Sequence, residues 1–298
     1  MEFIKAKTIL SKMKDGNNWF GIDYNMNLYK GCSHACIYCD SRSNCYHIDN
    51  FDTVRAKKNE LNILESELVR KRKKGIVGIG SMSDTYNPQE IKYEITRGAL
   101  KLISKYGFGV SIDTKSDLIV RDIDLLKEIN NKNSVIIKFT ITTSDDNLSK
   151  VIEQNVVESS KRLSAIKELS DNGIFIGIMM TPVLPYITDN EENIKKLVKL
   201  AHENGAKFIY TYMGMTLREN QREYYYSQLD KHFKGLKNKY ISTYGEQYSC
   251  NVPNYKNLYN IFKNECNKYG LLYKMEDIIK AYKKEKNIEE NKQITLFN

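Results

Sequence analysis

The chain has 298 residues, 41% hydrophobic and 28% charged, the composition of an ordinary soluble globular protein with enough length for one large domain or two small ones. No apolar run reaches the ~18 residues of a membrane span, and Met1-Glu-Phe-Ile-Lys-Ala-Lys7 lacks a signal-peptide core, so no membrane association and a cytoplasmic location are expected. A formal charge of +9 and a pI near 9.0 favour a polyanionic partner such as nucleic acid, although the Lys-, Asn-, Ile- and Tyr-rich composition also follows from an AT-rich genome.

Residues 1–26 read as an approach segment, with a turn at Asp15-Gly-Asn-Asn18 and an apolar clip at Trp19-Phe-Gly-Ile22. Asn27–Lys30 is a candidate first strand. It runs into a short loop holding Cys32, Cys36 and Cys39 in a Cys-x3-Cys-x2-Cys spacing. Three thiolates so close can hold three irons of a cubane [4Fe–4S] cluster and leave the fourth iron open to a small molecule. An open iron is a catalytic device, because a carrier with four fixed ligands cannot coordinate substrate. Zinc is the alternative, with a fourth ligand from His34, Cys45 or His47. Disulfides fit poorly, since thiols in a cytosolic chain stay reduced.

From Asp52 to Lys74 the pattern is helical, with Val54, Leu61, Leu64, Leu68 and Val69 roughly on one stripe. Its basic end, Arg70-Lys-Arg-Lys-Lys74 before Gly75, is read first as a solvated helix terminus and second as a phosphate patch. Gly75–Met82 is a short apolar run suited to a buried parallel strand, followed by the loop Ser83–Pro88 and a helix over Glu90–Tyr106. Strands are expected at Gly109–Thr114, Val135–Thr142, Phe175–Met180 and Lys207–Tyr212. Helices are expected at Arg121–Asn130, Ser159–Asn172 and Glu191–Asn204. Strands alternating with helices in this way make parallel βα units, and about six of them give an incomplete TIM-type barrel. Beyond residue 217 the pattern changes to helices at Asn220–Lys239 and Lys256–Lys284. The expected fold is therefore α/β, a partial (β/α)6 TIM-type barrel with a C-terminal helical extension. Its parts are an approach segment (1–26), the barrel (27–217), the extension (218–284) and a tail (285–298). The cysteine loop follows the first strand and so lies on the face where such barrels keep their chemistry.

The word Asn27-Leu-Tyr-Lys-Gly-Cys-Ser-His-Ala-Cys-Ile-Tyr-Cys-Asp-Ser-Arg42, with Tyr38 just before the third Cys, resembles the radical S-adenosylmethionine (SAM) superfamily. Within it the match is to the branch of spore photoproduct lyase and its photolyase-like relatives. The resemblance implies a [4Fe–4S] cluster, SAM chelated at the open iron, a cellular electron donor, and reductive cleavage of SAM to a 5′-deoxyadenosyl radical. It also implies SAM contacts at Ser83 for the amino group and at Lys115 for the carboxylate. Thr140 or Thr142 would suit the ribose, Arg162 the same region, and Tyr38 the adenine. Against these stand plainer uses: Ser83 as a cap, Lys115 as a solvated lysine, the threonines as ordinary strand residues, and Tyr38 as a plug over the cluster.

The sequence departs from the lyases at two places. Ser81 stands where they carry a hydrogen-donating Cys, and Asp40 where they carry a Tyr. An O–H bond is too strong for that donation, so the chain is not expected to be a spore photoproduct lyase itself. Cys250 could replace the donor if its loop folds over the barrel mouth; otherwise it is a buried structural Cys, as Cys266 is expected to be. The charged stretch 285–292 reads as a flexible tether. It ends in Gln293-Ile-Thr-Leu-Phe297, which resembles the peptide by which bacterial repair and replication proteins bind the sliding clamp, with Gln293, Leu296 and Phe297 as contacts. The leading expectation is radical SAM chemistry on nucleic acid, in repair or modification. The alternatives are radical SAM chemistry on a protein or small metabolite, and a non-catalytic Fe–S or zinc protein that binds nucleic acid.

Overall fold

Apolar, β-branched runs separated by amphipathic stretches fold into strands and covering helices in a computed structural model that describes residues 1–13 and 19–284. The expected turn at 15–18 and the tail 285–298 lie outside the described residues. In chain order, β1 (Glu2–Ile4), β2 (Leu10–Lys12), β3 (Tyr24–Met26), β4 (Tyr29–Lys30) and β5 (Arg55–Lys57) come first. Next, α1 (Glu60–Val69) leads to β6 (Ile76–Ile79), and α2 (Glu90–Tyr93) with α3 (Ile95–Lys105) to β7 (Gly109–Thr114). Helix α4 (Ile123–Lys132) leads to β8 (Val135–Thr140), and α5 (Asp146–Ile152) with α6 (Ser159–Asp171) to β9 (Ile176–Met180). Helix α7 (Glu191–Glu203) precedes β10 (Phe208–Thr211). The extension holds β11 (Gly214–Thr216), α8 (Gln221–His232), α9 (Leu236–Tyr244), β12 (Ser249–Asn251), α10 (Tyr255–Tyr269) and α11 (Met275–Tyr282).

The main sheet has the order β10-β9-β8-β7-β6-β3-β2, parallel throughout except for the antiparallel edge strand β2. Strands β3 and β6 to β10 are the six parallel strands of a partial TIM-type barrel. The first of them lies earlier than expected. Ile22, Tyr24 and Met26 alternate with polar neighbours, a period-two signal that places β3 ahead of Asn27. Tyr29–Lys30 instead turns aside and pairs antiparallel with β5, which also pairs with β1. That pairing shortens the helix expected from Asp52, because Ala56 is fully buried between two strands and helix begins only at Glu60. The helices expected over 220–239 and 256–284 are each broken as well. Gly235 (φ +80°) separates α8 from α9, and Gly270 (φ +68°) ends α10 so that Leu272 can bridge to Phe208. Arg70–Lys74 lies at the opposite end of the barrel from the cysteine loop, just before β6. There Lys73 pairs with Asp23, and Lys71 lies over Tyr24.

One face of the sheet packs on the helices. The other receives the Trp19–Ile22 clip, with Phe20 fully buried against Phe208 and Tyr210 at centroid distances of 5.8 and 5.7 Å. Gly177 makes room for this, since a Cβ there would lie 2.3 Å from the Phe208 carbonyl oxygen. Tyr282 of α11 donates to the Phe20 carbonyl and closes the barrel interior from below. Above Phe20 sits the buried Lys138, its Nζ 3.0 Å from Asp113 Oδ2 and 4.5 Å from the Phe20 ring centre. Among the described residues, no helix is long and apolar enough to cross a membrane.

Candidate active site

At the C-terminal ends of the parallel strands, the cysteine loop roofs a cavity of about 210 Å³. Cys32, Cys36 and Cys39 all line it, together with Trp19, the Gly80–Asp84 loop, Asp113, Lys115, Thr140 and Met179. Larger clefts open elsewhere on the surface, but this cavity gathers the three thiols with residues from successive βα loops, which is where barrel chemistry sits.

The loop is pinned on every side. Gly31 has φ +82°, and a Cβ there would lie 2.3 Å from the Thr53 carbonyl oxygen, so only glycine turns the chain at this point. Cys32 N donates to Phe51 O at 2.8 Å, and Ser83 Oγ donates to the Gly31 carbonyl. On the α5 side, Ile37 N donates to Ile152 O at 2.9 Å, and Cys36 forms a bridge with Glu153. From the extension, Gln221 Nε2 donates to Tyr38 O at 3.1 Å, and Thr216 Oγ1 to Asp40 Oδ1 at 2.9 Å.

The three thiols differ in their surroundings. Burial pushes the Cys36 thiol well up and Cys39 up; Cys32, also buried, is held down by the His34 hydrogen bond and charge. Burial pulls Lys115 down, but Cys36, Glu153, Cys39 and Asp84 outweigh it, and its ammonium stays charged in the cavity. Asp84 is wired beneath it, accepting from Thr114 Oγ1 at 2.9 Å, Tyr86 N at 2.9 Å and Lys115 N at 2.7 Å, with His34 Nδ1 at 3.6 Å. Three thiols lining one cavity fit a cubane, which offers each thiolate its own iron. A single zinc ion needs its donors closer together. Among the described residues no three His, Cys, Asp or Glu side chains gather that closely.

The cavity brings together Cys32, Cys36, Cys39, Ser83, Lys115 and Thr140, along with Ser81. Ser83 also ties its loop to the cysteine loop. Tyr38 is buried, with Lys115 Nζ 5.9 Å from its ring centre and its hydroxyl donating to Glu153. Thr142 is buried off the cavity wall, its Oγ1 without a partner. Two expected residues belong elsewhere. Arg162 is fully buried behind the wall, donating to Glu153 Oε2 at 2.5 Å and to Thr140 O at 2.7 Å, so it supports the site without lining it. Cys250 pairs with Met215 across β11 and β12 and is packed among Tyr225, Tyr240 and Tyr244. Burial pushes its thiol up to about 11. No loop carries it over the mouth. Cys266 is core, as expected.

Asp84, Asp113 and Glu153 are site residues that sequence reasoning did not single out. Asp84 adjoins Ser83 and was within reach of the same loop comparison. Glu153 follows a short helix and meets Cys36 only through the topology, so it carries no local signal.

Over residues 26–198 the chain matches the radical SAM superfamily. An uncharacterized protein of Methanocaldococcus jannaschii is 36% identical over 191 residues, 63% of this chain and 69% of that protein. An uncharacterized protein of Mycobacterium tuberculosis is 30% identical over 228 residues, 74% of this chain and 67% of that one. Among solved structures, a mutant of spore photoproduct lyase superposes with a TM-score of 0.68 at 14% identity, covering 91% of this chain and 80% of that one. Spore photoproduct lyase complexed with dinucleoside spore photoproduct gives 0.68 at 14%, covering 91% and 81%. At that identity the likeness speaks to the fold.

Proposed function

The chain belongs to the radical SAM superfamily, and from that premise we propose that it is a radical SAM enzyme whose cluster is held by Cys32, Cys36 and Cys39 and whose substrate is nucleic acid. The observation that carries the first part is the convergence of those three thiols with Lys115 on one cavity at the strand ends. When bound, the [4Fe–4S] cluster and SAM supply a 5′-deoxyadenosyl radical by one-electron cleavage, the electron coming from a cellular donor. The chain's own residues bind, orient and shield. Lys115 presents a point charge to a carboxylate, and Ser83 keeps lone pairs free for an ammonium. Thr140 offers a hydroxyl to a ribose, its carbonyl fixed by Arg162. Tyr38 and Met179 supply apolar surface that keeps water from the reacting centre.

The nucleic-acid part rests on the charge of +9 and on the fold likeness to spore photoproduct lyase, which binds a dinucleoside photoproduct. Among the described residues, Ser81 stands on the cavity wall and Cys250 is packed away from it, so no thiol besides Cys32, Cys36 and Cys39 lines the cavity, which supports a reaction other than that of the lyase.

Anaerobic reconstitution with iron and sulfide, then SAM and dithionite, tests the enzyme. It should yield 5′-deoxyadenosine, and Cys36→Ala should drop iron content to background. Full iron loading without 5′-deoxyadenosine sinks the catalytic claim. The Gln293-Ile-Thr-Leu-Phe297 segment, outside the described residues, is proposed on its sequence as a sliding-clamp peptide. Equal capture of clamp by the full chain and by a Leu296→Ala, Phe297→Ala variant would remove it.

A further inference from the structure

Trp19 links the reaction cavity to a second, larger cleft. Its ring lines the cavity and meets Tyr210 edge-on at 5.6 Å and 86°. The residues that follow, Thr211 at the end of β10 and Tyr212 just after it, line one side of a cleft of about 580 Å³, and Tyr255 and Tyr259 of α10 line it from the other. Tyr255 and Tyr259 stack at 5.8 Å with their planes 4° apart, and Tyr255 is 43% exposed, so one of its faces rests on a partner and the other is open. A flat aromatic face left to water in this way is a stacking platform.

The remaining wall chemistry is selective. Lys256 lines the cleft, Lys263 lies 5.4 Å from the Tyr259 ring centre, and Asn251 and Asn254 bring side-chain amides. Among the described residues no carboxylate lines it. An acidic or cationic ligand would leave the aromatic faces or the lysine unused. A nucleotide uses all of them: a base on Tyr255, a phosphate on Lys256, and amides for base-edge hydrogen bonds.

We propose that this cleft between β10 and α10 binds a nucleotide of single-stranded nucleic acid, neighbouring the one that enters the cavity past Trp19. The inference rests on the nucleic-acid reading of the substrate and adds its path. Tyr255 supplies the stacking face and Lys256 the charge. The experiment is fluorescence anisotropy of a short labelled oligothymidylate with the reconstituted holoprotein and three variants, each checked for an unchanged melting temperature. Tyr255→Ala should weaken binding roughly 5- to 100-fold, the range for one lost base stack. Tyr255→Phe keeps the ring and should bind within about twofold of the parent. Lys256→Ala should weaken binding and flatten its salt dependence by about 0.7, one phosphate contact on a single strand. Parent-like binding by Tyr255→Ala overturns the cleft and leaves nucleic acid as substrate. Equal losses in Tyr255→Ala and Tyr255→Phe overturn stacking as its basis. If the parent itself shows no salt-dependent binding, the nucleic-acid reading fails first and the cleft with it.

Discussion

A carboxylate with 1% of its side chain exposed must be neutralised from within the protein, and Glu153 is met on three sides. Arg162 donates at 2.5 Å, Ser149 Oγ at 3.4 Å, and Tyr38 gives its hydroxyl. Burial pushes the Glu153 pKa up, but the charges of Arg162 and Lys115 outweigh it and hold it below the ordinary 4.5. Arg162→Met should therefore cost about 3–5 kcal/mol in urea unfolding, because it strands a buried charge. Gly80 is the second sensitive position. Its φ is +96°, and a Cβ there would lie 2.0 Å from the Asp113 carbonyl oxygen, so Gly80→Ala must shift backbone at the cavity floor. A stability loss of at least ~2 kcal/mol and weaker SAM binding by calorimetry are expected. At this scale the sequence was most informative on Cys32, Cys36 and Cys39, whose close spacing on one loop brings all three to the same cavity. It was silent on Glu153, which meets the cysteine loop only through the packing beyond α5, and it put Arg162 at the ribose, whereas the α6 side chain turns to Glu153 and the Thr140 carbonyl behind the wall.

Elements were legible where period and punctuation agreed. The strands at 109–114, 135–140 and 176–180 lie within their expected bounds because they are short, largely apolar and β-branched stretches closed by turns. The helix expected over 52–74 was not, because Ala56 owes its burial to two partner strands that no local pattern announces. Phe20 belongs to this scale, since one residue plugs the whole sheet face. Phe20→Ala should destabilise by about 3–5 kcal/mol, measured by urea unfolding. The link between α3 and α4 gives a pH test. Asp124 is held down to about 2, by the Arg97 hydrogen bond first, from 3.8. A depressed carboxylate stabilises above its unfolded pKa and loses that contribution as pH falls through the folded one. The stability gap between the parent and Asp124→Asn should thus be present at neutral pH and close between about pH 4 and about pH 2.

For the whole molecule, the alternation of strands and helices indicated the barrel, and the barrel indicated the working face. The clefts beside that face were not legible, since Thr211 is far in the chain from Asn251 and Tyr255 and shares a cleft with them only in the fold. The net charge acts at this scale too. Affinity for single-stranded nucleic acid should fall with salt along a log–log slope of about 0.7 per phosphate neutralised, measured in a titration series. A slope near zero would leave the basic composition as a trace of genome content.

The contact between Tyr282 and the Phe20 carbonyl joins residues 262 positions apart. At about 5–20 residues per second, the ribosome would release the second partner roughly 13–50 seconds after the first. Cys32, Cys36 and Cys39 are made early in that interval, while Thr216 and Gln221, which fasten their loop, follow 176 and 183 residues behind the partners they bind. The nascent thiols therefore wait in an unfinished barrel, open to oxidation. Completion of the loop that carries the three thiols thus follows synthesis of most of the chain, and the barrel beneath it closes only when the last helix docks.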